Sequence, residues 1–426
     1  MAALSLAVGA SGTRWLPQWT RRLRFCLHLK AMGRAPLASI VAATAPNTRY
    51  QNQIMKTCNR QCSVGINIIC CLVLPLLVSG ALTSYGQYLA YDLGSLDGGS
   101  SAAYGISSVG TIVGWSSTSG GGTHAVTFSG GGINDLGTLG GFHSEALGVN
   151  AGGVLVGSSM TSLGNWHAFI SSGGAMTDLG TLGGSQSFGR GINAAGTVVG
   201  ESVNSGGSYH AFRYQGGVMT DLGTLGGGFS EALAINDVGT VVGYSYMSYP
   251  LAHAFSYSSG VMTDLGTLDT TGGPAGSSRA YGINAAGTIV GSSSTGDGHA
   301  HAFSYIAGVM HDLGSLNGGN SAAYGIKTAG VIVGEASTSG LTAWHAFVHK
   351  DGTMTDLSPF LADVGLIGDS NALAIGDNGD IVGYASTAGG QTHAFLLTVV
   401  PEPSIFALAA LGGTLMLFRR ATKGQR

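Results

Sequence analysis

The chain runs in short alternating stretches of apolar and polar residues separated by glycine-rich turns, and no window sustains the 3.6-residue apolar period of a helix. Residues 187–222 illustrate the pattern. Ser187 to Asn193 is a segment of small residues around Ile192, and Asn193-Ala194-Ala195-Gly196 is a turn, because Asn and Gly tolerate positive φ. Thr197 to Ser202 is β-branched and reads as a strand. After a polar loop, His210 to Tyr214 alternates so that His, Phe and Tyr share a face. Gln215-Gly216-Gly217 turns the chain, Val218 to Leu222 supplies a fourth strand, and Gly223 to Gly227 leads onward.

This segment occurs seven times. Its marks are a His-Ala-Phe triplet (His-Ala-Val in the first copy) at His124, His167, His210, His253, His301, His345 and His393, and an Asp-Leu pair beginning at Asp92, Asp135, Asp178, Asp221, Asp264, Asp312 and Asp356. The Asp series steps by 43 four times, then 48, then 44. Four strands in a period of this size match a propeller blade. The array opens on an isolated fourth strand, Tyr88 to Leu93, and stops after a third strand, His393 to Thr398. Pairing these two completes seven blades and removes both open edges. The expected fold is therefore all-β: a seven-bladed β-propeller of four-stranded blades, over 87–399, closed by the N-terminal strand. An open solenoid would need capping segments, and none is visible.

Composition adds polarity to this picture. Residues 1–91 contain no Asp or Glu, whereas residues 87–400 hold 20 acidic residues against five basic ones, a net of −15. Such a field repels phosphate backbones, so nucleic acid is not an expected partner. The five cysteines all precede the repeats, which must stand on packing alone.

The ends read as export signals. From Met55, basic Lys56 and Arg60 precede a largely apolar run, Val64 to Val78, and small residues Ser79-Gly80-Ala81, so residues 55–86 read as a signal peptide cleaved there or after Gly86. Residues 1–54 read as a mis-assigned start, with a transit-like extension as the alternative. At the C-terminus, over 400–426, Pro401-Glu402-Pro403 is followed by an apolar run from Ile405 to Phe418 and by Arg419-Arg420. In that order these resemble the PEP-CTERM sorting signal of Gram-negative bacteria. The resemblance implies an exosortase-like membrane protease as partner and transient anchoring through the C-terminal helix, with the arginines on the cytoplasmic side. An ordinary anchor is the plainer reading, though the run is short for one.

His-Ala-Phe, Asp-Leu-Gly-Thr-Leu-Gly-Gly and Gly-Ile-Asn-x-x-Gly-x-Val-Val-Gly resemble the HAF-type probable extracellular repeats over residues 88–399. That family carries no established activity, so the resemblance implies fold and location more than function.

Ser101, Ser144, Ser187, Ser230, Ser278, Ser321 and Ser370 recur beside the histidines and aspartates, the residue types of a hydrolase triad. Seven identical triads serve no single active site, so a structural hydrogen-bond network is expected instead. No catalytic residue, cofactor or metal is expected. Asp297-Gly298-His299-Ala300-His301 has zinc-ligand types, Asp377 to Asp380 resembles a calcium loop but fills a hairpin slot, and Gly180 to Gly184 lacks the Lys-Ser/Thr of a phosphate loop. An unrepeated cluster of carboxylates or histidines in the channel would point to an enzyme, and the sequence displays none.

The differences between copies are more informative. Two connections are longer, Gly266 to Ser278 and Ser358 to Ser370, and the second-to-third-strand loops carry aromatics. Trp115, Trp166, Tyr209, Tyr246, Tyr249, Trp344 and Phe360 are expected on one end of the ring, as packing residues or as platforms for sugars or partner proteins. The expected role is a non-enzymatic, structural or adhesive one at the cell surface or in an extracellular matrix of polysaccharide and protein. A glycan-binding lectin and an enzyme on surface polysaccharide are the alternatives.

Overall fold

A computed structural model of the chain describes residues 88–248, 251–269, 276–338 and 343–400. The extension, the signal region, the sorting motif Pro401–Pro403, Arg419, Arg420 and Tyr249 lie outside the described residues. Among the described residues, no helix is long and apolar enough to cross a membrane.

The described chain is all-β. β1 (Tyr88–Gly94) stands alone in sequence and is followed by four-stranded antiparallel sets. These are β2 (Ser101–Ile106), β3 (Ile112–Ser117), β4 (Thr123–Ser129) and β5 (Gly132–Asp135); then β6 (Gly140–Val149), β7 (Leu155–Thr161), β8 (Trp166–Ser172) and β9 (Ala175–Asp178). Next come β10 (Gly183–Ile192), β11 (Val198–Asn204), β12 (Tyr209–Gln215) and β13 (Val218–Asp221); β14 (Ser230–Ile235), β15 (Val241–Ser248), β16 (Leu251–Ser258) and β17 (Val261–Asp264). β18 (Ser278–Ile283), β19 (Ile289–Ser294), β20 (Ala300–Ile306) and β21 (Val309–Asp312) precede β22 (Ser321–Ile326), β23 (Ile332–Ser337), β24 (Trp344–Lys350) and β25 (Thr353–Asp356). The last set is β26 (Leu366–Ile375), β27 (Ile381–Thr387) and β28 (Thr392–Val399), and its fourth strand is β1, paired antiparallel from Tyr88 opposite Val399 to Asp92 opposite Phe395. The sets β2–β5 and β6–β9 merge into one eight-stranded sheet through a single parallel pair, Thr123 with His143.

Each set packs on the next in one way. The phenylalanine of each His-Ala-Phe triplet is fully buried, as at Phe169, Phe212 and Phe255. Phe212 sits against Val156 and Ala168 of the preceding set, and Phe255 against Val199 and Ala211. The same cluster joins the two ends of the array: Val382 and Ala394 pack with Ala103, Ile112, Val126 and Phe128. Each buried phenylalanine contributes roughly 2–3 kcal/mol. The close stacking needs glycine at particular points. A Cβ on Gly200 would fall 1.9 Å from the carbonyl oxygen of Phe188 on the neighbouring strand, and one on Gly148 would fall 3.2 Å from that of Arg190 in the next set.

The first strands of successive sets lie side by side, and β26 lies beside β2. At their turn ends a belt of amides crosses from set to set. The Asn150 Nδ2 donates to the Asn193 carbonyl at 3.1 Å, Asn193 to Asn236 at 3.3 Å, Asn236 to Asn284 at 3.3 Å and Asn284 to Lys327 at 3.3 Å. There a cavity of about 230 Å³ is shared by Ile106, Ile235, Ile283, Ile326 and Ile375 from five sets. The short fourth strands β5, β9, β13, β17, β21 and β25, four residues each, form the outer edges. An edge this short offers little backbone for pairing with another chain.

The strands depart from the sequence reading in length. β6, β10 and β26 reach ten residues, extended by irregular register before the repeated serine. The longer connection after Asp356 folds into α1 (Ser358–Leu361) and a 3-10 turn (Ala362–Val364), with Pro359 in its first turn. Leu357, Leu361 and Leu366 bury this plug against the last set.

Candidate functional site

The recurring His, Asp and Ser side chains are held by the strand register. In each set the imidazole opening the third strand meets the carboxylate ending the fourth, with Nδ1–Oδ2 distances of 2.8 Å at His124–Asp135, His167–Asp178, His210–Asp221 and His345–Asp356. The distances are 2.9 Å at His253–Asp264, His301–Asp312 and His393–Asp92. The same carboxylates accept a backbone N–H two residues on, as Asp178 does from Gly180 at 2.8 Å. The serine is elsewhere. Ser187 Oγ accepts from the Ala168 N–H at 2.9 Å and donates to the Gly180 carbonyl at 2.6 Å, so it ties the first strand of one set to the set before it. No hydrogen bond joins serine to histidine at these repeated positions among the described residues; the one bond between a serine and an imidazole there, Ser358 Oγ to His345 Nδ1 at 3.0 Å, uses a serine outside the repeat. The imidazoles are 14–26% exposed on their side chains, so they stand at a rim and are not sealed in a core.

The chemistry concentrates elsewhere, on the first and second strands of three consecutive sets. Arg190 on β10 reaches Glu201 on β11 at 3.1 Å and Glu231 on β14 at 2.7 Å, an ion-paired triad that spans two sets. Both carboxylates are largely buried, at 10% and 8% side-chain exposure. Burial first, and then repulsion from Glu231, pushes the Glu201 carboxyl up to about 7 against the pull of Arg190. Glu145 on β6 joins the cluster, its carboxyl raised by burial and only partly offset by Arg190. Burial disfavours the Arg190 charge, but Glu231, Glu201 and Glu145 outweigh it and hold the guanidinium ionised. The sequence reading finds no unrepeated cluster in the central channel; these carboxylates form one on the first and second strands of three sets. Glu145, Arg190 and Glu231 sit 41 or more residues apart on the first strands of successive repeats, with Glu201 on the strand after Arg190, and only the fold brings them together.

Aromatic rings border the cluster. Trp166 lies 6.0 Å from Phe188, Phe188 6.5 Å from Tyr209, Tyr209 6.2 Å from Phe229, and Phe229 5.2 Å from Tyr246 and 5.6 Å from Tyr244. His143 extends this arc at 6.3 Å from Trp166. The Arg190 guanidinium lies 5.7 Å over Phe188, and that of Arg279 lies 4.8 Å over Tyr244. Further round, Tyr324 donates to Glu335 at 2.6 Å, burial raises the Glu335 carboxyl, and burial followed by Glu335 pushes the Tyr384 hydroxyl up to about 12.

The structure gathers three of the expected platform residues, Trp166, Tyr209 and Tyr246, into this arc. Trp115, Trp344 and Phe360 make other contacts. Trp115 donates its indole N–H to the Tyr104 hydroxyl at 3.3 Å, and Trp344 opens β24 with its backbone N–H on Asp369 at 2.9 Å. Phe360 packs edge-on against Tyr88 at 5.6 Å within the plug, as a packing residue. Trp115, Trp166, Tyr209, Tyr246 and Trp344 lie in strands, not in the loops expected for them, because the strands run longer than the sequence pattern suggests. Asp297 closes its own hairpin by accepting from Thr295 and from the His299 N–H. Asp377 accepts from the Thr328 N–H at 3.1 Å, and Gly379 takes φ 94° in a hairpin turn. No group of three His, Cys, Asp or Glu among the described residues converges on a metal position.

No protein-family model and no curated protein matches the chain. Among solved structures it is similar to TolB from Acinetobacter baumannii, with a TM-score of 0.36 and 12% identity over 55% of this chain and 60% of that one. It is similar to a TolB from Agrobacterium tumefaciens, with a TM-score of 0.38 and 11% identity over 74% of this chain and 100% of that one. The Aleuria aurantia lectin, described as a six-bladed β-propeller with a novel fucose recognition mode, gives a TM-score of 0.35 and 15% identity over 60% of this chain and 95% of that one.

Proposed function

We propose that the chain is an exported, non-enzymatic β-propeller of seven blades, closed by β1, with an adhesive role on polysaccharide at the cell surface or in the extracellular matrix. Closure is supported by the pairing of β1 with β28, by β26 lying beside β2, and by Ala394 N–H donating to Ser101 Oγ at 3.0 Å as its counterparts do between other sets. Export rests on the signal-like residues 55–86 and on the Pro401-Glu402-Pro403 tail, read as handled by an exosortase-like protease. The single observation that carries binding is the arc of rings and carboxylates from Trp166 to Tyr246. It is unrepeated chemistry on a repeated scaffold, at one end of the first strands. Aromatic faces stack on sugar rings, and carboxylate and guanidinium groups hydrogen-bond hydroxyls.

The test is co-sedimentation of the full chain with the host's extracellular polysaccharide. Binding is expected, and Tyr209→Ala should weaken it. Absence of binding contradicts the reading. Release of reducing ends from the polysaccharide would instead favour a hydrolase. That second reading draws on Glu201, whose carboxyl near 7 is suited to proton transfer at neutral pH.

A further inference from the structure

A second site adjoins the His143 end of that arc, where Phe142 precedes His143. A groove of about 480 Å³ opens between the sets β2–β5 and β6–β9, walled by Asp97, Ser119, His124, Asp135 and Phe142. Every repeat has a His–Asp pair, but this groove adds two side chains that its neighbours lack. The position of Phe142 is held by Gly99, Ser185, Gly228, Gly276, Gly319 and Gly368 in the other copies, and that of Asp97 by Gly140, Gly183 and Gly226 in the next three. Phe142 is 75% exposed, an unusual place for a phenylalanine. Its backbone is nevertheless fixed. A Cβ on Gly122 would fall 2.1 Å from the Phe142 carbonyl oxygen, so only glycine lets the hairpin pass this close, and the Thr123 N–H donates to His143 Nδ1 at 3.2 Å. A rigid backbone thus presents an open aromatic face across from two carboxylates.

We propose that this groove binds a neutral pyranose sugar, stacked on Phe142 with its hydroxyls on Asp97 and Asp135. Each carboxylate has lone pairs beyond its present partners. Asp97 accepts from the Ser119 N–H, and Asp135 from His124 and from the Gly137 N–H at 2.8 Å. The carboxylates oppose an anionic ligand, and the three acid and imidazole groups do not converge on a metal position.

Saturation-transfer NMR on the full chain with the methyl glycosides of glucose, galactose and mannose tests this. At least one should bind, in high salt as in low. Phe142→Ala should weaken it roughly tenfold, the scale of one stacking contact, at unchanged melting temperature. Phe142→Trp should retain binding, and Val238→Ala, an exposed residue on a distant turn, should change nothing. Three outcomes overturn the proposal. They are no transfer to any of the three sugars, binding lost in high salt as for a cation, and Phe142→Ala binding like the parent. In the last case, loss with Tyr209→Ala would assign the sugar to the inner arc, so the two readings fail separately.

Discussion

The imidazole of His393 lies 2.9 Å from the carboxylate of Asp92, although 301 residues separate them in sequence. Every other pair of this kind is closed within 11 residues, as His210 and Asp221 are. The long-range pair reproduces the local one because β1 takes the place of a fourth strand beside β28.

Removing residues 88–94 should therefore cost far more than removing an equal length of hairpin. β28 would lose its partner and expose an edge, and Tyr88 would leave the cluster that holds Phe360. The full repeat region should scatter as a compact body with a radius of gyration of about 20 Å. The truncated one should be larger or aggregated. A soluble truncation with the parent's melting temperature and radius would argue for an open array.

Glu201 makes stability depend on pH in a definite direction. Its carboxyl is raised to about 7 in the fold, so between the ordinary carboxylate range and 7 the folded state binds more protons than the unfolded state. Stability from this group is full below that range and is lost as pH rises through 7. Glu201→Gln keeps an acceptor for Arg190 and removes the charge. Near pH 8 the variant should be more stable than the parent by about 1–3 kcal/mol, and near pH 4 the two should coincide. Parallel urea melts at the two pH values decide it; a variant less stable than the parent at pH 8 would mean that the ion pair with Arg190 outweighs burial.

Much of the fold was legible because the repeat gives the same answer several times. The four strands around His210, the Asn193–Gly196 turn and the pairing of Tyr88–Leu93 with the last third strand all follow from spacing. The arc of Glu145, Arg190, Glu201 and Glu231 was not legible. Glu145 and Glu231 each follow a repeated serine, and Glu201 follows the repeated glycine of a second strand. Aligning the copies would have marked these as variable columns, but a linear reading sees isolated charges. Trp115 is the opposite case: an aromatic beside a loop looks available until its indole N–H is found on the Tyr104 hydroxyl.

Export makes its own prediction. In a Gram-negative host with an exosortase, the mature protein should begin near Ala81 or Gly86, and replacing Pro401-Glu402-Pro403 by alanines should block processing of the tail. Mass spectrometry is the measurement. Residues 1–54 retained on the mature chain would contradict the signal reading, and unchanged processing would reduce the tail to a generic anchor.

The central claim is that the repeated His, Asp and Ser build the blades while unrepeated side chains decide where a ligand binds. The most direct measurement is a parallel melt of single His→Ala variants at His124, His167, His210, His253, His301, His345 and His393, with polysaccharide binding measured on each. Each partly exposed imidazole holds one carboxylate, so each variant should lose about 1 kcal/mol, within a narrow range, from the lost hydrogen bond. One variant that melts like the parent but has lost binding or turnover would contradict the claim and mark that histidine as the site.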